Sequence, residues 1–385
     1  MSVVESIWWG SAPGVAGRLL LPPLVVAEAA FRAGAALRGA LYDRGVLRAE
    51  RAAAPVVSIG NLAVGGAGKT PAAIAVARRL LERGRRVALL SRGYGASRGD
   101  ARVVSDGARV LLGAAEGGDE PVLVARRLPG ARVLCGPRRA ALARTAVEAL
   151  GADALVLDDG FQHRALARDL DVVVLDAASP FGNGRCLPAG PNREPPSALR
   201  RAGLVWLSRV DGAAPGALDA LRAMAREATG REPVESRHAA VDVVDGTLER
   251  SLGLGALRGR RVLLLAGVAR PAGVRRTVEG LGAEVAAEAL FPDHHRFAPG
   301  ELEAVLRAAD AARCDHVVTT EKDAVRLDRV RAANRRICAV RIDAELVRGG
   351  EVLDAALDGA LAAFATPPAS TTMAPTSTPT AARRP

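Results

Sequence analysis

An apolar strand, a glycine-rich loop and a helix follow one another in residues 55–84, PVVSIGNLAVGGAGKTPAAIAVARRLLERG. The backbone N–H groups of such a loop and the N-terminus of the following helix form an anion cradle. Lys69 and Thr70 close the loop, as in proteins where the lysine reaches the β- and γ-phosphates of a nucleotide and the hydroxyl ligates Mg²⁺. The segment therefore predicts a phosphate loop in an α/β fold of the P-loop NTPase type.

Lys69 is one of two lysines among the 53 basic residues, and the other is Lys322. In an arginine-rich chain we expect lysine where a compact ammonium is needed and a planar guanidinium does not fit. The common GxxxxGK[ST] pattern needs glycine at position 63, where this chain has Ala63, and the loop has the form GGAGKT instead. The residues predicted to bind ATP are Ala63, Val64, Gly65, Gly66, Ala67, Gly68, Lys69 and Thr70.

A second motif, DALVLDDGFQH, is an apolar strand that ends in two carboxylates. Asp158 is predicted to lie beside the phosphate loop and to hold Mg²⁺ together with Thr70, directly or through water. Asp159 then faces either the metal or the substrate, and the sequence leaves open which aspartate ligates the metal directly. Gln162 lies in the same turn and is predicted, with Asp159, to contact the substrate.

The chain divides into four predicted parts. Short apolar runs alternate with helical patterns between residues 55 and 227, which favours a mostly parallel sheet with helices on both faces. A connecting strand or ribbon follows, and then a second, smaller α/β set. The predicted parts are an N-terminal segment (1–46), a P-loop kinase domain (47–228), a smaller α/β domain with its connecting ribbon (229–365) and a disordered Pro/Thr/Ser-rich tail (366–385).

The N-terminal segment combines Trp8 and Trp9 with an apolar stretch and an Ala/Leu-rich helix. Its uncharged run, residues 19–27, is shorter than the ~20 residues that span a bilayer, and Pro22 and Pro23 are expected to interrupt it. The pattern favours a helix in the membrane interface, with tryptophans at the level of the headgroups. A helix packed on the protein core is the alternative.

Charge and cysteine content exclude other classes of protein. The formal net charge of +11 indicates an anionic partner, but only 3% of residues are aromatic, so we expect no nucleic acid. The four cysteines form no CxxC pair, which argues against a zinc site or a disulfide framework. A phosphorylated substrate or an anionic membrane surface remains as the expected partner.

Seven motifs in a fixed order connect the chain to a known family: SIGNLAVGGAGKTP, SRGYG, GDEP, LDDGFQH, LPAGPNREP, FPDHHRF and TEKDAV. Together they resemble the tetraacyldisaccharide 4′-kinases, from about residue 8 to about residue 345. The resemblance implies an ATP- and Mg²⁺-dependent kinase that phosphorylates the 4′-hydroxyl of a tetraacyldisaccharide 1-phosphate and gives lipid IVA in lipid A biosynthesis. It also implies an acylated disaccharide lipid as partner and a location at the cytoplasmic face of the inner membrane.

The resemblance assigns roles to individual residues. Asp119 of GDEP is the expected catalytic base, with helix capping as the alternative, and His294 of FPDHHRF is expected to pair with it. Lys69 is the third expected catalytic residue. Tyr94, Arg193 and Glu194 are expected at the substrate, whereas Lys322 of TEKDAV has no specific role and is otherwise explained as a buried salt bridge at a domain interface.

Two other classes of protein share part of the pattern. A membrane-recruited switch ATPase of the GGxGKT type has the same phosphate loop, but FPDHH is surplus to it. A membrane-binding module without catalysis leaves Asp119, Asp158 and the phosphate loop unexplained.

Overall fold

The computed structural model describes residues 3–10, 14–93, 101–268, 271–327, 334 and 336–365. Its strands are β1 (Val56–Gly60), β2 (Val87–Ser91), β3 (Arg102–Asp106), β4 (Arg132–Cys135), β5 (Ala154–Asp158), β6 (Leu170–Asp176), β7 (Leu204–Ser208), β8 (Val234–Asp245), β9 (Arg261–Ala266), β10 (Glu284–Leu290), β11 (His316–Thr320) and β12 (Ile337–Arg348). Its α-helices are α1 (Val3–Trp9), α2 (Val15–Asp43), α3 (Lys69–Glu82), α4 (Ala114–Gly117), α5 (Asp119–Arg127), α6 (Arg139–Arg144), α7 (Ala217–Thr229), α8 (Pro271–Gly280), α9 (Pro299–Ala311), α10 (Glu321–Ala324) and α11 (Gly350–Ala365). A π-helix (Thr145–Ala149) continues α6, and 3₁₀ turns cover Pro196–Arg201, Val210–Gly212 and Leu254–Leu257.

The strands form one sheet in the order β10-β9-β11-β12-β8-β7-β6-β1-β5-β2-β4-β3. Neighbours pair in parallel except β3 with β4 and β12 with β8. The prediction of a mostly parallel α/β sheet is confirmed. The short edge strand β3 was not anticipated.

The long strands β8 and β12 join the phosphate-loop half of the sheet to the second α/β set. They pair antiparallel from Glu235 opposite Arg348 to Asp245 opposite Cys338. The segment expected as an isolated strand or ribbon is therefore β8, a full member of the sheet. The exact domain boundaries given by the sequence stay predictions.

Helix α3 fixes the position of the phosphate loop because its buried face packs on the sheet. That face consists of small and branched side chains, Ala72, Ala73, Ile74, Val76, Ala77 and Leu80. Leu80 has no exposed surface, and burying a side chain of that size is worth about 1.5–3 kcal/mol. The helix can therefore hold the glycine loop at its N-terminus.

The N-terminal segment forms two helices with different surroundings. Helix α1 packs on the protein: Ile7 is 3% exposed, and Trp8 donates from Nε1 to the carbonyl of Pro188 at 2.9 Å. Helix α2 buries only Gly17 and Glu28 among its 29 residues. The alternative of a helix packed on the protein therefore holds for α1, whereas most of α2 is not buried.

The expectation that Pro22 and Pro23 interrupt the apolar stretch is wrong, since both lie inside α2. Each proline removes one backbone N–H from the helix, but the rest of the α2 ladder continues on either side. As one continuous helix, α2 is long and apolar enough to cross a membrane, judged by length and composition alone.

Candidate active site

The phosphate loop connects β1 to α3 and is enclosed by neighbouring strand ends. Gly68 has φ = 89°, a left-handed conformation that favours glycine. A Cβ atom there would lie 2.9 Å from Nε2 of His238 and 3.3 Å from Oγ of Ser208. Position 68 therefore requires glycine both for its backbone conformation and for space.

The first part of the loop pairs with the LPAGPNREP segment. Val64 donates its backbone N–H to Pro191 at 2.8 Å, and Arg193 donates to the carbonyl of Leu62 at 2.7 Å. Ala63 forms a β-bridge with Asn192. The position that departs from the common phosphate-loop pattern, Ala63, thus pairs with the LPAGPNREP segment.

Lys69 is the first residue of α3 and its ammonium lies among oxygen acceptors. Its Nζ donates to Oδ1 of Asn61 at 3.1 Å and lies 3.5 Å from Oδ1 of Asp159. The side chain is 15% exposed. A charge held this way at a helix N-terminus suits a site for nucleotide phosphates.

Asp158 ends β5 and pairs in register with Ile59 of β1, so its carboxylate lies beside the phosphate loop. Burial raises the pKa of Asp158 to about 7, and the negative charges of Glu120 and Asp159 add to that effect. The pKa of the buried carboxyl is raised although Lys69 opposes the shift. A cation bound here would be favoured because it would compensate the buried charge.

Asp159 turns away from Asp158 through a left-handed backbone conformation, φ = 56°. Both of its carboxylate oxygens accept from Nη1 of Arg193 at 2.8 Å. Burial would raise its pKa, but the positive charges of Lys69 and Arg193 outweigh burial and hold the pKa below its ordinary value. Asp159 therefore links Lys69 of the phosphate loop to Arg193.

Thr70 and Asp158 offer hard oxygen donors of the kind that Mg²⁺ prefers. The described residues contain no cluster of three or more His, Cys, Asp or Glu side chains that could hold a metal ion. A donor set of one hydroxyl and one carboxylate fits Mg²⁺, which commonly takes its other ligands from phosphates and water.

Asp119 and His294 come from the two halves of the sheet and contact each other. Asp119 is the first residue of α5, it is 5% exposed, and its Oδ2 lies 2.8 Å from Nδ1 of His294. Burial would raise the pKa of Asp119. The hydrogen bond to His294 and the positive charges of Lys322, His294 and Arg326 outweigh it and hold the pKa below its ordinary value.

The adjacent histidines of FPDHHRF have different partners. His294 has φ = 60° and faces Asp119, and its hydrogen bond to Asp119 raises the pKa of His294 above its ordinary value. Nε2 of His295 pairs with Glu301 at 2.8 Å. Asp293 accepts from the backbone N–H of His294 at 3.0 Å, so it helps to fix the turn that aims the ring.

Lys322 of TEKDAV reaches the same site. Its Nζ lies 3.2 Å from Nε2 of His294, 3.2 Å from Oε1 of Glu120 and 3.8 Å from Oδ1 of Asp293. Its side chain is 25% exposed, so the expected salt bridge exists but is only partly buried. Glu120, which pairs with Lys322, also contributes to the raised pKa of Asp158 through its negative charge.

A cavity of about 570 Å³, which we call the α2 groove, separates α2 from the LPAGPNREP segment. The α2 side of the lining is apolar apart from Arg38, and the opposite side carries three arginines. The lining residues are Ala30, Phe31, Gly34, Ala35, Arg38, Gly39, Gln162, Arg164, Leu187, Arg193, Glu194 and Arg201. Three residues expected at the substrate (Gln162, Arg193 and Glu194) thus lie together in one cavity.

Tyr94 lies outside the described residues.

Sequence analysis did not single out Ser208 and Arg209. Like Asp158, these residues lie where a strand of the sheet ends, Ser208 as the last residue of β7 and Arg209 directly after it. Oγ of Ser208 donates to Ala67 at 2.6 Å, and Arg209 donates to Gly66 and pairs with Asp176 at 2.8 Å. These side chains hold the backbone of the phosphate loop from the β7 side.

Comparisons with known proteins agree on one family. A family model described as tetraacyldisaccharide-1-P 4′-kinase matches residues 20–362. A tetraacyldisaccharide 4′-kinase of Anaeromyxobacter dehalogenans (strain 2CP-1) is 73% identical over 364 residues, which cover 94% of this chain and 96% of that protein. One of Syntrophus aciditrophicus (strain SB) is 43% identical over 308 residues, 77% of this chain and 82% of that protein.

A solved structure shows the same architecture. The crystal structure described as the "apo" form of LpxK from Aquifex aeolicus in complex with ATP has a TM-score of 0.73 and 28% sequence identity. The likeness covers 88% of this chain and 99% of that one. It therefore includes both halves of the sheet.

Proposed function

This chain belongs to the tetraacyldisaccharide-1-P 4′-kinase family, and we propose that it transfers the γ-phosphate of ATP to the 4′-hydroxyl of a tetraacyldisaccharide 1-phosphate. The names of its relatives and the ATP complex of its structural neighbour make it an ATP-binding kinase of lipid A biosynthesis. In the proposed reaction the product is lipid IVA and the enzyme works at the cytoplasmic face of the inner membrane.

The observation that carries the proposal is the link between the α2 groove and the phosphate loop. Arg193 lines the groove and binds Asp159 at 2.8 Å, and Asp159 lies 3.5 Å from Nζ of Lys69. Gln162, also in the groove, donates from Nε2 to the carbonyl of Asn61 at 3.0 Å, next to the loop. A molecule in the groove is thereby brought next to the phosphates of a nucleotide on the loop.

The groove's chemistry suits an acylated sugar phosphate. Its arginines can bind a phosphate through charge-assisted hydrogen bonds, and Phe31 and Leu187 offer apolar contact to the start of an acyl chain. The exposed apolar residues of α2, such as Leu19 and Val26, extend this apolar surface toward a membrane. An enzyme that takes a lipid from a bilayer benefits from this arrangement.

Phosphoryl transfer then needs a base near the acceptor hydroxyl. We assign this role to Asp119, oriented by His294 at 2.8 Å. The hydroxyl oxygen forms a bond to the γ-phosphorus while the bond from that phosphorus to the bridging oxygen breaks. ADP leaves, and the hydroxyl proton passes to Asp119.

Lys69 would stabilise the charge that develops on the phosphate oxygens during transfer. Mg²⁺, held by Thr70 and Asp158 when bound, would neutralise charge on the β- and γ-phosphates. In this scheme Arg193, Glu194, Gln162 and Asp159 position the sugar headgroup.

The test is phosphate transfer from labelled ATP to the tetraacyldisaccharide 1-phosphate in detergent with Mg²⁺. The wild type and Glu116→Gln, an exposed carboxylate three residues before the base, should both give 4′-phosphorylated lipid, whereas Asp119→Asn should form it about 10²–10⁴-fold more slowly. ATP hydrolysis without lipid product in the wild type would refute the proposal and favour the switch ATPase.

A further inference from the structure

The ring of His294 lies between a carboxylate and an ammonium. Nδ1 faces Oδ2 of Asp119 at 2.8 Å, and Nε2 faces Nζ of Lys322 at 3.2 Å. Nδ1 therefore faces a carboxylate, whereas the charged group nearest to Nε2 is an ammonium, with Oδ2 of Asp293 farther away at 4.0 Å.

An ammonium has three N–H donors and no acceptor. At 3.2 Å, Lys322 can bind Nε2 favourably only if that nitrogen presents its lone pair. The neutral imidazole then carries its proton on Nδ1, which donates to Asp119. An imidazolium would instead place an N–H against the ammonium.

The charged groups around His294 act in opposite directions. The hydrogen bond to Asp119 raises the pKa of His294, with a further contribution from the charges of Asp119 and Asp293, whereas burial and the charge of Lys322 lower it. Glu120 binds Lys322 at 3.2 Å, and Arg326 lies 3.7 Å from Asp119. Lys322 is the cation that directly faces the ring and opposes its protonation.

We propose that Lys322 is a positioning residue that holds His294 as the neutral Nδ1–H tautomer and so keeps Asp119 a carboxylate that can accept a proton. The inference rests on the proposed function, because it concerns the base of that reaction. Were His294 an imidazolium, it would form a full ion pair with Asp119 and make the carboxylate a weaker base.

The local structure fixes the position of Lys322. It is the second residue of the short helix α10, which Thr320 caps by accepting from the backbone N–H of Asp323 at 3.0 Å. Asp323 is fully buried and pairs with Arg326. A small ammonium fits between Glu120 and Nε2 as a point donor, which accounts for a lysine here in a chain of arginines.

The experiment measures kcat against pH from 5.5 to 9 at saturating ATP and lipid. Lys322→Met should raise the pKa of His294. The acid limb of the kcat–pH profile should therefore move to higher pH by about one unit, so that kcat falls roughly tenfold at pH values below the limb. Toward pH 9 its kcat should approach that of the wild type, and its KM for ATP should not change. Lys322→Arg should give a smaller shift.

A second measurement does not depend on the variants folding. ¹⁵N NMR of the wild type at pH 9, above the raised pKa of His294, should show the ring protonated on Nδ1 and unprotonated on Nε2, with the signal assigned by its loss in His294→Gln. An unshifted acid limb in a folded Lys322→Met, or a protonated Nε2 in the wild type, would overturn the inference. A wild type that makes no lipid product would instead refute the proposed function.

Discussion

Oδ2 of Asp119 lies 2.8 Å from Nδ1 of His294, although 175 positions of sequence separate the two residues. The same helix, α5, is fixed to the second half of the sheet at its other end, where Arg127 pairs with Glu321 at 2.7 Å and with Asp343. Contacts at both ends of α5 thus hold this helix against the second half of the sheet.

Removing either member of this pair should slow phosphoryl transfer. A positioned base contributes typically about 10²–10⁴-fold, so we expect Asp119→Asn to lower kcat by that range. His294→Gln should lose less, because it removes the orienting ring and leaves the base. The measurement is steady-state kinetics, and an unchanged KM for ATP in both variants would separate catalysis from nucleotide binding. Full activity of Asp119→Asn would contradict the assignment.

The contact at the far end of α5 makes a prediction about stability. Arg127 and Glu321 are each 5% exposed, and removing one partner of a buried pair costs about 3–5 kcal/mol. Arg127→Met should therefore destabilise the protein in urea unfolding, toward the lower end of that range because Arg341 still pairs with Glu321 at 2.8 Å. Arg144→Met is the matched control, since Arg144 and Glu50 form an exposed pair worth at most about 1 kcal/mol. Equal losses of unfolding free energy in the two variants would show that burial of the Arg127–Glu321 pair does not increase its contribution to stability.

Asp158 should make the free enzyme less stable as the pH rises. Its folded pKa is about 7 against an ordinary 3.8, so between these values the folded state binds more protons than the unfolded state and stability falls with increasing pH. Asp158→Asn should consequently raise Tm at pH 8 in the absence of nucleotide and Mg²⁺, and the difference should shrink toward pH 4. Thermal unfolding at both pH values tests this, and a difference in Tm independent of pH would contradict it.

Local patterns predicted the elements of the phosphate-loop half well. Strands such as β1 and β5 are short apolar runs followed by turn residues, and their carboxyl ends necessarily share an edge of a parallel sheet. This rule was sufficient to predict that Asp158 lies beside the phosphate loop. In the structure, Asp158 pairs in register with Ile59 of β1. These predictions needed only the residues of each segment and the inference that the sheet is parallel.

Contacts between distant segments could not be predicted in the same way. Nothing in GDEP or TEKDAV specifies that Glu120 and Lys322 lie 3.2 Å apart, because that depends on the pairing of β8 with β12. The family resemblance paired Asp119 with His294, but periodicity alone did not. The prediction that Pro22 and Pro23 interrupt the apolar stretch was wrong for a different reason. Helix propensity is a weak local preference, and the rest of a long helix can override it.

The rarity of lysine leads to a test at the phosphate loop. Lys69→Arg keeps the charge, but the larger planar group must fit between Asn61 and Asp159, where Nζ now lies 3.1 Å and 3.5 Å from their oxygens. We expect kcat to fall by about 10²-fold, the typical loss for one misplaced donor at a developing charge. Arg78→Lys, on the same helix with an ion pair to Asp343 at 3.1 Å, is the control and should keep its activity. Kinetics of the two variants decide the point, and wild-type turnover in Lys69→Arg would show that any cation suffices.

The exposed apolar face of α2 should bind the membrane surface. Leu19 and Val26 are each 74% exposed, and inserting such side chains is worth about 1.5–3 kcal/mol apiece. Leu19→Glu with Val26→Glu should thus weaken binding to vesicles of anionic phospholipid by roughly 10²-fold or more.

Point substitutions are the sharper test of this face, because deleting residues 1–40 would also remove Glu28, which binds the backbone N–H of Cys186 at 2.8 Å and Arg185 at 3.1 Å. It would remove Trp9 as well, which lines a cavity with the phosphate loop. Val241→Glu, at an exposed apolar residue of β8, is the matched control. Co-sedimentation with vesicles should separate the double variant from this control while kcat in detergent stays the same for both. Undiminished sedimentation of the double variant would mean that another surface binds the membrane.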